Sequence, residues 1–300
     1  MEHGSGRMLM VETGGLMVGE PDGVLVTGAL ASAKEHELRH EVLDAATLAR
    51  RYPAFHAAPG TVAVWEPRAG VLFPEPCIEA HLEAAALAGA ELRGNEAVVS
   101  WRASGNGVEV DTGRERIAAG ALVLTAGAWT SALAQLPGLP LEVRRQPLFW
   151  FEPQDGGAFA PKRFPIFIWE HERGRFVYGF PDFGDGVKLA RHMEGEPTTG
   201  DAVRREVAGL EAEEVRATAA RLVPDACGRP LGAAVCLYTN TPDGHFVIDA
   251  HPEHPNVWIA SPCSGHGFKF ASTIGEVLAD LVSGREPRFD LSRFRLARFA

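Results

Sequence analysis

The sequence predicts an α/β protein in which a part built on a parallel sheet is interleaved with a domain built on an antiparallel sheet. The run 121–127 is continuously apolar and ends in small residues, as expected for a parallel strand that is buried on both faces and opens onto a ligand. The middle third is instead rich in aromatic and β-branched residues that favour antiparallel strands, with a hairpin turn at 172–174.

Before residue 121, short apolar segments alternate with turns and with helical spacing. The predicted elements are strands within 8–28 broken by turns at 14–15 and 21–23, two short helices within 31–52, the second from Ala45 to Tyr52, a helix around Ile78 to Ala86, a strand at 97–99 and a hairpin with its turn near 104–107.

After residue 127 the predicted elements are mostly strands. They lie at 149–151, 166–169, 175–178, 233–239, 245–249 and 257–260, and a helix is predicted at about 201–222. A last helix carries its apolar residues on one face: Ile274, Val277, Leu278, Leu281 and Val282. We expect Gly284 to follow its C-cap, where glycine takes up a left-handed conformation at little cost.

Composition excludes several classes of protein. The net charge is −10, which argues against a nucleic-acid or anionic-membrane partner. No apolar run approaches the ~20 residues that a membrane-spanning helix needs, and the first residues do not have the pattern of a secretory signal. The four cysteines form neither a disulfide framework nor a metal-binding pair motif, so a reducing cytoplasm fits best.

A glycine-rich turn opens the last helix. It runs Ser264-Gly265-His266-Gly267-Phe268-Lys269-Phe270. Backbone N–H groups at such a turn, together with the helix dipole, favour negative charge. Because His266 and Lys269 add cationic side chains, we expect a water-poor, cationic pocket for an anionic or reducible group. Taken alone, this is a weak motif.

Several ordered blocks of this sequence resemble the monomeric sarcosine oxidase and N-methyltryptophan oxidase family, flavin amine oxidases of the D-amino-acid-oxidase-like group. The blocks are 11–16, 69–73, 126–129, 178–181 followed by Lys188 and His192, 236–243, 245–249 and 264–270. The resemblance extends from about residue 5 to the end of the chain, and blocks in a fixed order are more specific than any single one.

The resemblance implies a three-layer FAD/NAD(P)-binding domain interleaved with an antiparallel-sheet substrate domain. Residues 1–64 would belong mainly to the substrate domain, 65–145 to the FAD-binding domain, 146–239 to the substrate domain and 240–300 to the FAD-binding domain. One family feature is missing, because Gly4-Ser5-Gly6 does not continue into a Gly-x-Gly-x-x-Gly fingerprint after a strand. The sequence therefore looks like a family member whose FAD-binding domain lacks its first βαβ unit.

The resemblance also implies a reaction. A secondary N-methyl amino acid or related amine would be oxidised at its C–N bond, a hydride equivalent would pass to FAD, and O2 would be reduced to H2O2. The partners would be a small amine and O2 only, and the enzyme would be a monomer. Two alternatives stay open: a non-catalytic, truncated remnant that holds no FAD, and a dehydrogenase that passes electrons to a carrier.

Two residues receive specific roles from the resemblance. Read from composition alone, Cys236 is a buried structural cysteine and Lys188 a solvated surface amine. By resemblance, Cys236 forms a covalent thioether to the 8α-methyl group of the flavin. Lys188 would lie at the flavin face and promote the reaction with O2, because a fixed positive charge stabilises a developing anion at low dielectric.

The remaining assignments also come from the resemblance. Catalysis is assigned to Lys188, His192 and Lys269; cofactor binding to Cys236, Gly127, Trp129, Ser264, Gly265, His266, Gly267 and Lys269; substrate binding to Tyr178, Tyr238 and Lys269. His192 would line the substrate cavity, the two tyrosines would form its walls, and Lys269 would hold the substrate carboxylate. Without the resemblance, these are ordinary loop, strand and cap-region residues.

The sequence offers little support for a metal site or for a serine hydrolase. His245, Asp249, His251 and His254 supply ligand-type side chains within ten positions. However, a turn-rich loop holds the last two and separates them from the first two, so no metal is expected. No Gly-x-Ser-x-Gly motif is present, which removes the commonest serine-hydrolase pattern.

Overall fold

The computed structural model describes residues 2–299, which divide into two compact units. The first unit comprises the described residues up to His81, Arg145–Glu196 and Arg204–Cys236. The second comprises Leu82–Arg144, Pro197–Val203 and the described residues from Leu237 onwards. The assignment of a substrate domain and an FAD-binding domain to parts of the chain remains a prediction.

Helices and strands follow one another along the chain in this order: α1 (Glu2–Ser5), β1 (Met10–Glu12), β2 (Gly15–Gly19), α2 (Val24–Glu35), β3 (Glu41–Asp44), α3 (Ala45–Arg51), β4 (Val62–Glu66), β5 (Gly70–Leu72), α4 (Pro74–Leu87), β6 (Ser100–Ser104), β7 (Gly107–Asp111), β8 (Arg116–Ala119), β9 (Leu122–Leu124), α5 (Thr130–Leu133), β10 (Glu142–Phe151), β11 (Ile166–Glu172), β12 (Arg175–Phe180), β13 (Val187–His192), β14 (Glu196–Thr198), α6 (Gly209–Ala219), β15 (Pro230–Asn240), β16 (Val247–His251), β17 (His254–Ser261) and α7 (Ala271–Val282). Short 3-10 turns lie at Gly127–Trp129, Pro224–Ala226, Phe268–Phe270, Ser292–Phe294 and Leu296–Phe299.

A nine-stranded sheet organises the first unit. Its order is β14-β10-β13-β12-β11-β2-β4-β3, with β15 also paired to β10. Three neighbouring pairs are antiparallel: β10 with β13, β13 with β12, and β12 with β11. Strand β11 pairs with β2 in parallel. One face of β13 sends Val187 and Leu189 into an aromatic-rich core, where both are fully buried. Because side chains alternate along a strand, the residues between them face the other way.

The second unit contains two small sheets. One has the order β16-β17-β9, with β9 parallel to β17, and the other is the meander β6-β7-β8. Helix α7 buries Ile274, Val277 and Leu278. It ends as predicted at Gly284, with φ +69°, where the N–H groups of Gly284 and Arg285 return to Leu281 and Asp280 in a Schellman motif.

The structure confirms the antiparallel sheet of the middle third, the helix around Ile78, both hairpins and the parallel strand after residue 121. Both faces of that strand pack against buried side chains, Leu122 and Leu124 against one core and Val123 against another, but only Leu124 is itself fully buried, so the strand is less buried than expected.

Three predicted elements differ from the structure. Residues 24–28 form the start of α2 instead of a strand. The segment 97–99 is irregular, and its strand begins only at Ser100. Helix α6 is confined to Gly209–Ala219 because the buried guanidinium of Arg145 donates to the carbonyl oxygens of Arg204 and Glu206, which keeps the preceding residues out of a helix.

Candidate active site

One face of the antiparallel sheet carries three of the predicted site residues. Lys188 and His192 alternate with the core residues of β13, and Tyr178 does so on β12. The register places Phe180 opposite Lys188 and Phe176 opposite His192. Since these positions all point away from the core, the sheet gathers an amine, an imidazole and three aromatic rings on one surface.

Lys188 lies among aromatic rings. Its ammonium nitrogen is 5.0 Å from the centre of the Phe180 ring and 5.7 Å from that of Trp150. Burial lowers the pKa of Lys188, while negative charge at Cys236 and Glu75 opposes that shift. The result is a poorly hydrated amine beside π-faces, which attract a cation.

Tyr178 and His192 contact each other next to this amine. Their ring centroids are 6.2 Å apart with planes at 83°, and the Tyr178 and Phe180 rings meet edge to face at 5.7 Å. Phe180 and Trp150 were missed by the sequence analysis. The alternation of aromatic residues on β12 and the pairing of β10 with β13 are the signals that could have found them.

Cys236 is exposed on β15, the strand that pairs with β10. The composition-based expectation of a buried structural cysteine is therefore wrong, and an exposed thiol is open to reaction. A negative charge on this sulfur would raise the pKa of Lys188, which lies in the same unit. All four cysteines of the chain are free thiols.

In the second unit, the glycine turn is shaped by close packing. Ser264 and Gly265 have φ of +47° and +74°, a region that favours glycine at the second position. A Cβ on Gly265 would lie 2.4 Å from the Tyr238 ring, and one on Gly267 would lie 1.5 Å from the Pro262 carbonyl oxygen. Tyr238 and the turn, both predicted site features, are therefore in direct contact.

Polar contacts hold the turn in place. The Ser264 N–H donates to the Thr239 carbonyl oxygen at 2.9 Å, and its buried hydroxyl accepts from the Thr241 N–H at 3.3 Å. The His266 ring stacks on Phe246 with centroids 5.0 Å apart. His266 and Lys269 are exposed, so the expectation that these cationic side chains lie in a water-poor pocket is wrong.

Gly127 and Trp129 form a 3-10 turn directly after the carboxyl end of β9. Gly127 has φ +52°, and a Cβ there would meet no atom within 4 Å, so this backbone borders open space. The indole nitrogen of Trp129 donates to Asp201 Oδ1 at 2.8 Å. Asp201 could not be found from the sequence, because no local pattern connects residues 72 positions apart.

The candidate metal ligands have other contacts in the structure. Asp249 accepts from Arg295 at 2.7 Å and from the Leu296 N–H at 2.8 Å. The His251 and His254 rings are 4.8 Å apart and pack edge to face on Trp101. Within residues 2–299, no group of three or more histidine, cysteine, aspartate or glutamate side chains could hold a metal ion.

The fold is that of the flavin-dependent oxidoreductases. The model of the FAD dependent oxidoreductase family matches residues 3–281, and the chain belongs to this family. It is similar to monomeric sarcosine oxidase of Streptomyces avermitilis, with 41% identity over 287 residues, which cover 94% of this chain and 75% of the relative.

Two further comparisons agree. N-methyl-L-tryptophan oxidase of Salmonella arizonae is 34% identical over 293 residues, or 97% of this chain and 78% of the relative. Among solved structures, the open form of NikD, described as an unusual amino acid oxidase, superposes with a TM-score of 0.83 at 22% identity, covering 98% of this chain and 79% of that one. Among the residues described, no helix has the length and apolarity needed to cross a membrane.

Each unit, taken by itself, carries groups that fit FAD. In the first unit, an exposed thiol and a poorly hydrated amine among aromatic rings suit a planar, electron-accepting ring. In the second unit, Gly127 borders open space at the end of a parallel strand. The amide oxygen of Asn240 is buried there without a hydrogen-bond partner among the described atoms, which leaves an acceptor for a donor group of a ligand.

Proposed function

We propose that this chain is an oxidase of secondary N-methyl amino acids or related amines, of the sarcosine and N-methyltryptophan type, with O2 as electron acceptor and H2O2 as product. The observation that carries the proposal is the partly buried Lys188 ammonium, 5.0 Å from the Phe180 ring on the face that also carries Tyr178 and His192. The identities of 41% and 34% to enzymes with these names support the substrate class. Bound FAD would supply the two-electron chemistry that removes hydride from the amine.

Lys188 acts on oxygen in this proposal. Its amine is removed from bulk water by aromatic neighbours, so its charge is weakly screened. A fixed positive charge stabilises the negative charge that O2 gains as it is reduced. Negative charge at Glu75 favours the ammonium form that this role requires, against the effect of burial.

The substrate is held by aromatic and cationic side chains. Tyr178 and His192 form an edge-to-face pair whose rings supply apolar walls for an N-methyl amine. For the second unit, taken by itself, we assign Tyr238 as an aromatic ring for substrate binding and the exposed ammonium of Lys269 as a cation able to pair with a carboxylate.

Covalent attachment of FAD is assigned to Cys236. The thiol is exposed and is therefore accessible to a bound flavin ring. In the second unit we assign cofactor contacts to the backbone of the two turns and to the side chains on them: Gly127, Trp129, Ser264, Gly265, His266, Gly267 and Lys269. The start of α7 favours negative charge on the group it faces.

The proposal includes a monomeric enzyme of the cytoplasm with small-molecule partners only. Four free cysteines and a net charge of −10 support it. Size-exclusion chromatography with light scattering tests the monomer directly, and a dimer mass would contradict it.

The test of the proposed function is spectroscopic and enzymatic. The purified chain is expected to show the absorption of oxidised flavin, to keep its colour in the pellet after acid precipitation, and to release H2O2 with sarcosine, N-methyltryptophan or a cyclic imino acid. Cys236→Ser is expected to lose the acid-stable colour and to keep extractable FAD.

Three results would contradict parts of the proposal. A folded protein that takes up no FAD supports the non-catalytic alternative. Reduction of an artificial dye without H2O2 release indicates a dehydrogenase. Acid-stable colour in Cys236→Ser overturns the covalent assignment alone.

A further inference from the structure

The indole ring of Trp129 is held by a segment distant in sequence. Trp129 is 43% exposed, which is unusual for so large an apolar side chain. Its Nε1–H nevertheless donates to Asp201 Oδ1 at 2.8 Å. Next to this bond the ring packs on Gly200, where a Cβ would lie 2.4 Å from Cε2 of the indole. Only glycine leaves room for the ring in this position.

Both partners of this contact have fixed backbones. On one side, the Trp129 N–H donates to the Ala126 carbonyl oxygen at 2.9 Å, which closes the 3-10 turn after β9. On the other side, the Thr199 hydroxyl accepts from the Ala202 N–H at 3.1 Å and closes the loop that presents Asp201. One charge-assisted hydrogen bond and one ring contact thus join two locally ordered turns of the second unit.

Resting on the proposed function, which places Gly127 and Trp129 at the cofactor, we propose that Gly200 and Asp201 are positioning residues for Trp129. They hold the indole, and through it the turn Gly127–Trp129 at the carboxyl end of β9, in the conformation that binds FAD. Ligands of α/β proteins bind where parallel strands end, and a turn at that point that is already ordered reduces the entropic cost of binding. Neither residue needs to touch the cofactor.

The indole cross-peaks of the 15N-labelled protein test the contact without any activity. The chain has six tryptophans, so six indole N–H signals are expected, and the one absent in Trp129→Phe belongs to this ring. Asp201→Ala and Gly200→Ala are expected to shift that signal, whereas Asp201→Asn keeps an acceptor oxygen and leaves it near its original position. Glu286→Ala and Gly94→Ala, at an exposed acid and at a glycine with open surroundings, are the matched controls.

FAD affinity tests the role in cofactor binding. In the Cys236→Ser background, where FAD can exchange, Asp201→Ala is expected to raise the Kd about tenfold and Asp201→Asn to raise it much less. An unchanged indole signal in Asp201→Ala, or a shifted signal with the FAD affinity of the control, overturns the proposal. If the parent chain takes up no FAD, the proposed function and the cofactor role fall together, while the indole signal still decides whether Asp201 holds the ring.

Discussion

Lys188 on β13 lies directly opposite Phe180 on β12, and its ammonium nitrogen is 5.0 Å from the centre of that ring. The attraction between the ammonium and the Phe180 ring replaces only part of the hydration that the amine loses on burial. The net effect of the surroundings is therefore a lowered pKa for Lys188. A poorly hydrated cation that the fold does not neutralise with a hydrogen-bonded carboxylate is costly for stability, and such groups concentrate at functional sites.

The first prediction follows from the sign of this pKa shift. Because burial lowers the pKa of Lys188 in the folded state, the unfolded chain binds its proton more tightly. Stability therefore rises as the pH increases from the folded pKa to the unfolded value of about 10.4. At pH values below the folded pKa, the buried ammonium destabilises the folded state by its full amount. Lys188→Met removes this charge and is therefore expected to raise the Tm of the cofactor-free protein at pH 7.

Thermal unfolding between pH 7 and pH 11 measures this effect, with Lys162→Met at an exposed position as control. The gain from Lys188→Met should shrink towards the alkaline end. A rise in Tm that does not depend on pH, or that is equally large in Lys162→Met, would show that the charge of Lys188 does not destabilise the folded state.

The second prediction concerns the glycine turn. Gly265→Ala forces a Cβ to within 2.4 Å of the Tyr238 ring at φ +74°, and we expect it to destabilise the protein by about 1–3 kcal/mol. Gly275→Ala, in the middle of α7 with open space around it, is expected to stabilise by about 0.5–1 kcal/mol. Urea unfolding compares the two. Equal effects would mean that the turn has another conformation.

The third prediction concerns Arg145, whose side chain is buried and ion-paired with Glu211. Arg145→Ala removes the donor of two backbone carbonyl oxygens, those of Arg204 and Glu206, and the partner of the partly buried Glu211, so it is expected to cost at least about 2 kcal/mol. Arg102→Ala breaks an ion pair with Glu109 on an exposed hairpin and is expected to cost at most about 1 kcal/mol. Chemical denaturation measures the free energy of unfolding of both variants. A similarly small loss of stability in both would show that the contacts of Arg145 contribute no more than an exposed ion pair.

The fourth prediction separates the cysteines by reactivity. Burial raises the pKa of Cys227 to about 12, whereas Cys236 is exposed. At pH 8, iodoacetamide is expected to modify Cys236 in molecules that carry no flavin and to leave Cys227 unmodified. Peptide mass spectrometry identifies the labelled sites. Rapid labelling of Cys227 in the folded protein would contradict the structure.

Much of the fold could be predicted from local pattern. Alternation and turn residues predicted the antiparallel sheet, and apolar spacing predicted α4 and α7. The start of α2 could not be predicted in this way, because its N-cap is Gly23 and the acceptor at its first turn is the Glu170 carboxylate, which binds the Leu25 N–H at 3.0 Å. Residues 24–28 have strand-like composition, and a carboxylate 145 positions away stabilises the helix there.

In the candidate site, too, some residues could be predicted from the sequence and others could not. Tyr178, Lys188 and His192 came from a family resemblance, and strand alternation explains why they share one face. Trp150, which completes the surroundings of Lys188, depends on the pairing of β10 with β13, a contact between segments that no local pattern joins. Asp201 could not be predicted from the sequence either, because only folding of the chain brings it within hydrogen-bond distance of Trp129.

The most direct test of the central claim, that Lys188 serves the reaction with O2, measures the two half-reactions of Lys188→Met separately. In anaerobic stopped-flow experiments with sarcosine or N-methyltryptophan, the reduction rate is expected to stay close to that of the parent enzyme and of Lys162→Met. On mixing the reduced enzyme with O2, oxidation is expected to slow by roughly 100-fold or more. An equal slowing of both half-reactions, or no slowing of the oxygen reaction, would contradict the account.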